Sequence, residues 1–354
     1  MDILCENLDI IAKITKKEHT MQYLDDSLKK QRILITGGAG FIGSNLAMYF
    51  QKYHPKAEVV IFDCFRNNES FENGNPKSLG HFKNLLDFKG EIITGNLNNP
   101  EDFARIKARK FDYIFHQAAI SDTTATNQEA ILKTNVNAFK DLIEVCHKHN
   151  TTLIYASSAG VYGNTPAPNH IGSGEIPQNA YGFSKLAMDN LVRKYLATAS
   201  NKISLVGLRY FNVYGENEFY KHKTASMILQ LGLSALREKK VQLFKMGEQK
   251  RDFVYIQDVI QANIKAMRAK KSGIYNVGSG VARSYNDIID CLKQELGDFE
   301  VQYIDNPYTF FQNHTQANLI LTQKFLNYQP RFSLEIGIKN YLTQIKQIAA
   351  KGDI

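Results

Sequence analysis

The stretch RILITGGAGFIGSNLA, beginning at Arg32, constrains the fold more than any other part of the chain. A short apolar run ends at Gly37, Gly40 and Gly43, and a helical pattern follows. Each glycine has a separate physical task. The first lets a strand turn sharply, the second lets backbone approach a pyrophosphate, and the third lets helix and strand pack closely. Phe41 and Ile42 open the helix, whose free amides hold phosphate charge. A glycine pattern alone is a weak signal; its position between strand and helix makes it a dinucleotide fingerprint.

The same rhythm repeats downstream. EVVIFD, EIITGN, FDYIFHQAA, TTLIYASS and ISLVGLRYF are short apolar, largely β-branched runs, most of them separated by helical stretches. This alternation predicts an α/β fold with a Rossmann-type, doubly wound parallel sheet. From about Tyr214 the rhythm breaks into longer helices and irregular segments, which predicts a smaller, partly discontinuous α/β substrate-binding unit. The expected organisation is an extension over 1–30, a dinucleotide-binding unit over 31–212 with 252–280 returning to it, and a substrate unit built from 213–251 and 281–354. The extension reads as a charged, amphipathic leader, with Met21 inside it as an alternative start of translation.

The 354 residues are 44% hydrophobic, enough for one large core or two modest ones. No run approaches the roughly 18–20 apolar residues a membrane helix requires. Cys5, Cys64, Cys146 and Cys291 are scattered without metal-ligand or paired spacing. A reduced, cytoplasmic enzyme without a membrane partner or metal is expected. The net charge of +8 suits either nucleic acid or anionic small molecules. With only short basic clusters and no nucleic-acid module, the second reading is preferred.

Chemistry is concentrated in ASSAGVYG and YGFSK. Tyr181 and Lys185 are four apart and share a helix face. A free tyrosine, with a pKa near ~10, is a poor base at neutral pH; a fixed cation lowers that value and makes the phenol a usable proton acceptor. Ser158 is the expected hydrogen-bond partner of a reacting hydroxyl, with Ser157 as the second choice. Lys185 is also expected to reach a nicotinamide ribose. Asp63, ending the second strand, suits ribose hydroxyls and NAD; Arg66, three residues on, offsets a 2′-phosphate and suits NADP. The residues alone leave both open. His116 reads as a packed or cofactor-edge residue. Gln117, Ala118 and Ala119 are expected to line the cofactor wall, and Asn135 to hold the loop beside the nicotinamide.

GGAGFIG, HQAA, ASSAGVYG, YGFSK, RYFNVYG and RDFVYIQDV, in this order, resemble the extended short-chain dehydrogenase/reductase family across nearly the whole chain after residue 30. The resemblance implies a tightly bound nicotinamide cofactor and a nucleotide-sugar substrate. SDTT at Ser121–Thr124, the interval from RYFNVYG to KTASM, and HTQAN are similar to the family's heptose epimerases. That narrower likeness implies an ADP-heptose substrate, NADP rather than NAD, a role in lipopolysaccharide biosynthesis and a homo-oligomer. It marks Ser121, Thr123, Thr124, Ser158, Asn212, Lys223, Gln230, Arg251 and Phe311 as substrate positions. Lys223, Gln230 and Phe311 differ in residue type from the family pattern. Lys221, which alone reads as a solvated basic loop, falls where these enzymes carry a second acid/base. The rival readings are another nucleotide-sugar 4-epimerase or dehydratase and, from a different class, a non-catalytic dinucleotide sensor.

Overall fold

Seven strands form an all-parallel sheet in a computed structural model that describes residues 21–198, 203–305 and 314–351. In chain order its strands are β1 (Arg32–Thr36), β2 (Glu58–Asp63), β3 (Glu91–Thr94), β4 (Tyr113–His116), β5 (Thr152–Ser158) and β6 (Leu205–Tyr210). Across the sheet they run β3-β2-β1-β4-β5-β6, and β10 (Gly273–Val277) joins beyond β6. The order reverses between β1 and β4, where Thr36 pairs with His116. Such a switch point leaves a crevice beyond the carboxyl ends of the strands.

Period-two alternation divides the apolar strand residues between two cores. Ile33 and Ile35 of β1 enter one, with Phe50, Phe115 and Ile154. Leu34 enters the other, with Phe62, Ile114, Leu153 and Tyr155. Both faces are dry because helices cover both, which is why these strands read as nearly continuous apolar runs. Each fully buried Leu, Ile or Phe contributes roughly 1.5–3 kcal/mol of transfer free energy.

The remaining strands lie outside the main sheet. β9 (Lys250–Tyr255) pairs in parallel with β7 (Asn212–Tyr214) and antiparallel with β11 (Ala282–Ser284). β8 (Lys240–Phe244) pairs with β12 (Glu300–Ile304). Helices Met227–Glu238, Tyr285–Leu296 and Leu334–Lys351 pack together here. Their apolar faces continue the first core from Ile33 through Leu243 to Ile345, so the two parts share one hydrophobic interior. Residues 21–30 form no strand but are tied down. Tyr23 is buried and stacks on Tyr49, and its hydroxyl donates to the Gln257 carbonyl. Residues 1–20 lie outside the described residues.

Candidate active site

The glycine turn makes a tight cradle. Gly37 has φ +70°, and a Cβ there would come within 2.6 Å of the Ala118 amide nitrogen. A Cβ on Gly43 would sit 2.2 Å from the Gly37 carbonyl oxygen. Both positions therefore exclude any side chain. The helix Phe41–Tyr53 starts at Gly40 without a side-chain cap, leaving its first amides to an anion. Asp63 is buried at the end of β2, accepting from Ala39 N at 2.9 Å and Phe65 N at 2.8 Å. Burial pushes its carboxyl up, and those two amides oppose the shift. A cradle without side chains, an uncapped helix start and a buried acid fit a dinucleotide.

Ser158, Tyr181 and Lys185 meet at the far end of this crevice. Tyr181 and Lys185 project from the helix Ala180–Leu196, which Asn179 caps by accepting from Gly182 N at 2.8 Å. Gly182 lets this helix lie close to the segment after β5, since a Cβ there would meet the Gly160 carbonyl at 2.6 Å. Ser158 accepts from Gly160 N at 3.0 Å and hydrogen-bonds Tyr181. Ser157, on the opposite face of β5, donates instead to Asp189 at 3.0 Å. Lys185 is buried, and its ammonium donates to the Ala156 carbonyl at 2.8 Å. Burial lowers the Lys185 pKa to about 8, against the opposing charge of Asp189.

The expected depression of the tyrosine does not appear. The Lys185 ammonium is 5.9 Å from the Tyr181 ring centroid, and burial pushes the phenol up, with the Ser158 hydrogen bond opposing it. Desolvation of the phenolate outweighs a cation that is already engaged by a carbonyl.

Asn135 does not line the cavity. Fully buried, it accepts from Ile120 N at 2.9 Å and donates to Ile120 O at 3.0 Å and Ser184 Oγ at 2.9 Å. It thereby ties the segment after β4 to the Tyr181 helix. His116 is also buried, hydrogen-bonded to Thr36 and stacked near Phe139. Burial, reinforced by Lys185, lowers its pKa to about 3, so it stays neutral.

The opposite wall is the short turn Phe219–Thr224. Lys221 donates its backbone N–H to Glu218 O at 2.9 Å, and its ammonium lies 5.4 Å from the Phe41 ring centroid. Burial lowers its pKa, and Glu218 opposes this. Arg66 reaches across to this turn, bonding the Tyr220 carbonyl and, at 2.6 Å, His222 Nε2. The His81 ring lies flat on Tyr220, with centroids 3.7 Å apart. One cavity of about 310 Å³ runs between the walls, lined by Gly37, Asp63, Ser158, Tyr181, Lys185 and Lys221 among others. Phe41, Ile42, Gln117, Ala118, Ala119 and Ser121 also line it.

The other sequence-derived positions lie outside that lining. Thr123, Thr124, Asn212, Lys223 and Gln230 are exposed. Gln230 donates to the Ala225 carbonyl at 2.7 Å. Arg251 is buried on β9, donates to the Lys250 carbonyl and lies 5.9 Å from the Tyr285 ring centroid. Phe311 falls outside the described residues. Sequence reasoning passed over Lys77, Leu79, Gly80, Asn96 and Leu97, which line the cavity from the segments after β2 and β3. Gly80 carries a signal that only the fold explains, since a Cβ there would sit 2.2 Å from Asp63 Oδ1. Asp122 was missed as well; it accepts from Asn73, Asn75 and Thr124 and organises the SDTT segment.

Residues 33–278 match the NAD dependent epimerase/dehydratase family. The chain belongs to that family. Its cofactor is a nicotinamide dinucleotide, and its fold is that of the family's epimerases. The chain is similar to the crystal structure of Helicobacter pylori ADP-L-glycero-D-manno-heptose-6-epimerase, at 58% identity and a TM-score of 0.86. That match covers 92% of this chain and 100% of that one. It is 32% identical over 315 residues to the ADP-L-glycero-D-manno-heptose-6-epimerase of Brachyspira hyodysenteriae, covering 87% of this chain and 96% of that protein. A variant of UDP-glucuronic acid 4-epimerase from Bacillus cereus, in complex with a fluorinated UDP-sugar and NAD, is 27% identical with a TM-score of 0.77. It covers 90% of this chain and 99% of its own. No helix among the described residues is long and apolar enough to cross a membrane, and no group of metal-ligating side chains occurs among them.

Proposed function

We propose that this protein is an isomerase converting ADP-D-glycero-β-D-manno-heptose to ADP-L-glycero-β-D-manno-heptose. The observation that carries the reading is a single cavity with the glycine cradle at one end and both Tyr181 and Lys221 on its walls. The 58% identity to a heptose epimerase supports the substrate.

Carbon 6 of a heptose carries a C–H that is not acidic, so proton abstraction alone cannot invert it. A bound dinucleotide would supply reversible oxidation at that carbon. Tyr181 takes the hydroxyl proton in one configuration and Lys221 in the other, while Ser158 donates to the oxygen. Lys185 would hold the nicotinamide ribose and keep a positive charge beside Tyr181. Burial suits Lys221 to this work, because it lowers the cost of giving up its proton. Carbon 6 is exocyclic, so rotation about its bond to the ring presents the second face without release of the sugar. The proposed nucleotide-sugar contacts are Ser121, Thr123, Thr124, Asn212, Lys223, Gln230, Arg251 and Phe311. The units over 31–212 with 252–280, and over 213–251 with 281–354, divide cofactor from substrate in this reading.

NADP is the proposed dinucleotide. Lys77 lines the cavity, and Arg66 donates its backbone N–H to the carbonyl of Gly80, another lining residue. Two cations there offset the repulsion between Asp63 and a 2′-phosphate. Acid release followed by mass spectrometry would give NADP, with its content falling in Lys77→Ala; NAD alone would overturn the assignment. A cytoplasmic homo-oligomer belongs to the same proposal, and light scattering of the purified chain tests the assembly.

The deciding experiment is proton NMR of the protein with ADP-D-glycero-β-D-manno-heptose and no added cofactor. Appearance of the 6-epimer is expected. An unchanged spectrum from protein carrying its dinucleotide would overturn the reading in favour of another nucleotide sugar.

A further inference from the structure

Beneath the tyrosine–lysine pair lies a buried polar cluster that the proposed mechanism does not use. Tyr181, Lys185 and Asp189 are spaced i, i+4 and i+8, so they form one stripe on a single helix face. Asp189 has no solvent exposure. Its carboxylate accepts from Tyr155 Oη at 2.8 Å, Ser157 Oγ at 3.0 Å and Arg209 Nε at 2.8 Å, and forms an ion pair with Arg209 Nη2 at 2.7 Å. Arg209, equally buried on β6 and paired in register with Ser157, continues to Glu175 at 2.7 Å, which also binds Arg193 at 2.7 Å. Each of these partners donates or is cationic, which favours the carboxylate and opposes the rise in its pKa that burial causes.

We infer that Asp189 is a positioning residue for the reaction: it clamps the Tyr181 helix to the end of β5 and places a carboxylate one helical turn beyond Lys185 on the same face. The clamp is specific in geometry. Asp189 grips Ser157, whose neighbours are Ala156, the acceptor of the Lys185 ammonium, and Ser158, the partner of Tyr181. One carboxylate thus fixes the strand end that carries both contacts. The groups acting on Lys185 are Tyr181 and Asp189 from its own helix and His116 from β4, while Tyr155 and Ser157 from β5 and Arg209 from β6 surround the Asp189 carboxylate. His116 is neutral, and Arg209 is already matched by Asp189 and Glu175. Asp189 is the charge that opposes the desolvation of Lys185. Without it, burial alone would favour a neutral amine, which neither supports a phenolate nor donates fully to a ribose.

The inference rests on the proposed roles of Tyr181 and Lys185, and its test does not require the sugar. In protein carrying ¹³C-enriched lysine, the Lys185 resonance is assigned by its loss in Lys185→Arg and titrated with pH. In Asp189→Asn the Lys185 midpoint is expected to move down by about one unit or more. An unmoved midpoint in a variant that melts cooperatively would overturn the inference, whatever the substrate. Should Asp189→Asn fail to fold, Ser157→Ala tests the same link with the opposite sign. It removes a neutral donor from the carboxylate, strengthens its field at Lys185 and raises the midpoint; a fall or no change would overturn the inference. Wild-type protein inactive on the ADP-heptose but showing the Asp189 shift would refute the substrate and keep the clamp.

Discussion

The two walls of the cavity are built in different ways. The Tyr181 wall rests on a sheet strand and a 17-residue helix, and side chains behind it are tied by ion pairs between Asp189, Arg209, Glu175 and Arg193. The Lys221 wall is a single tight turn in which His222 takes φ 49° and His222 and Lys223 are exposed. It is held from outside, by Arg66 on Tyr220 and His222 and by His81 stacked on Tyr220. Buried polar groups fully satisfied by partners rigidify a site, whereas few buried contacts leave a segment with a low cost of local opening. The contrast matches the division of labour in the proposed mechanism. The cofactor side needs a geometry held to within fractions of an ångström, while the sugar side has to admit a substrate and let its carbon 6 rotate.

Substitutions on each wall sharpen or break this contrast. Tyr181→Phe is expected to lower turnover about 10³-fold, because general acid–base groups contribute roughly 10²–10⁴-fold, with cofactor content unchanged. Loss of the dinucleotide instead would make the tyrosine a binding residue. Lys221→Met is expected to cost about 10²-fold in turnover and to keep cofactor; near-normal turnover would remove the second acid/base and leave the turn as a lid only.

Acid separates the walls by stability. Burial raises the Glu175 pKa, but Arg193 and Arg209 outweigh it and bring the group down to about 2 from its ordinary value near 4.5. A depressed carboxyl stabilises the fold above its unfolded value and loses that contribution as pH falls from about 4.5 to 2. The full swing is about 3 kcal/mol. Denaturant melts should show that loss in wild type and a flatter response over the same window in Glu175→Gln. Parallel curves would mean that the ion pairs behind Tyr181 carry little stability. The smallest effect is expected on the other wall. His81→Ala removes a stacked ring worth about 1 kcal/mol, which should raise KM a few-fold and barely change the melting temperature. A large drop in melting temperature would show that the turn is part of the rigid body after all.

The chain's own pattern was more legible over residues 31–212 than over the rest. The strands from RILIT to ISLVGLRYF were legible because apolar runs between helices have a local signature, and Gly37 and Gly43 because their task is set by backbone sterics. Tyr181 and Lys185 were legible through helical spacing. Asp189 continues the same stripe, yet its importance depends on Arg209 arriving from β6, a pairing that no local window contains. Ser157 and Ser158 are neighbours of one type, and only the pleat sends one to Asp189 and the other toward Tyr181.

By itself the sequence determined the strands of the parallel sheet, the glycine cradle and the tyrosine–lysine pair, because each has a local signature: apolar runs between helices, glycines between a strand and a helix, and helical spacing. Tertiary structure alone decided what surrounds them: which loops reach Asp63, that Arg66 spans to the Tyr220 turn, and that burial raises Tyr181 even as it lowers Lys185. The physical reason is that desolvation and long-range pairing depend on everything packed around a group. Both depend on neighbours that come from distant parts of the chain.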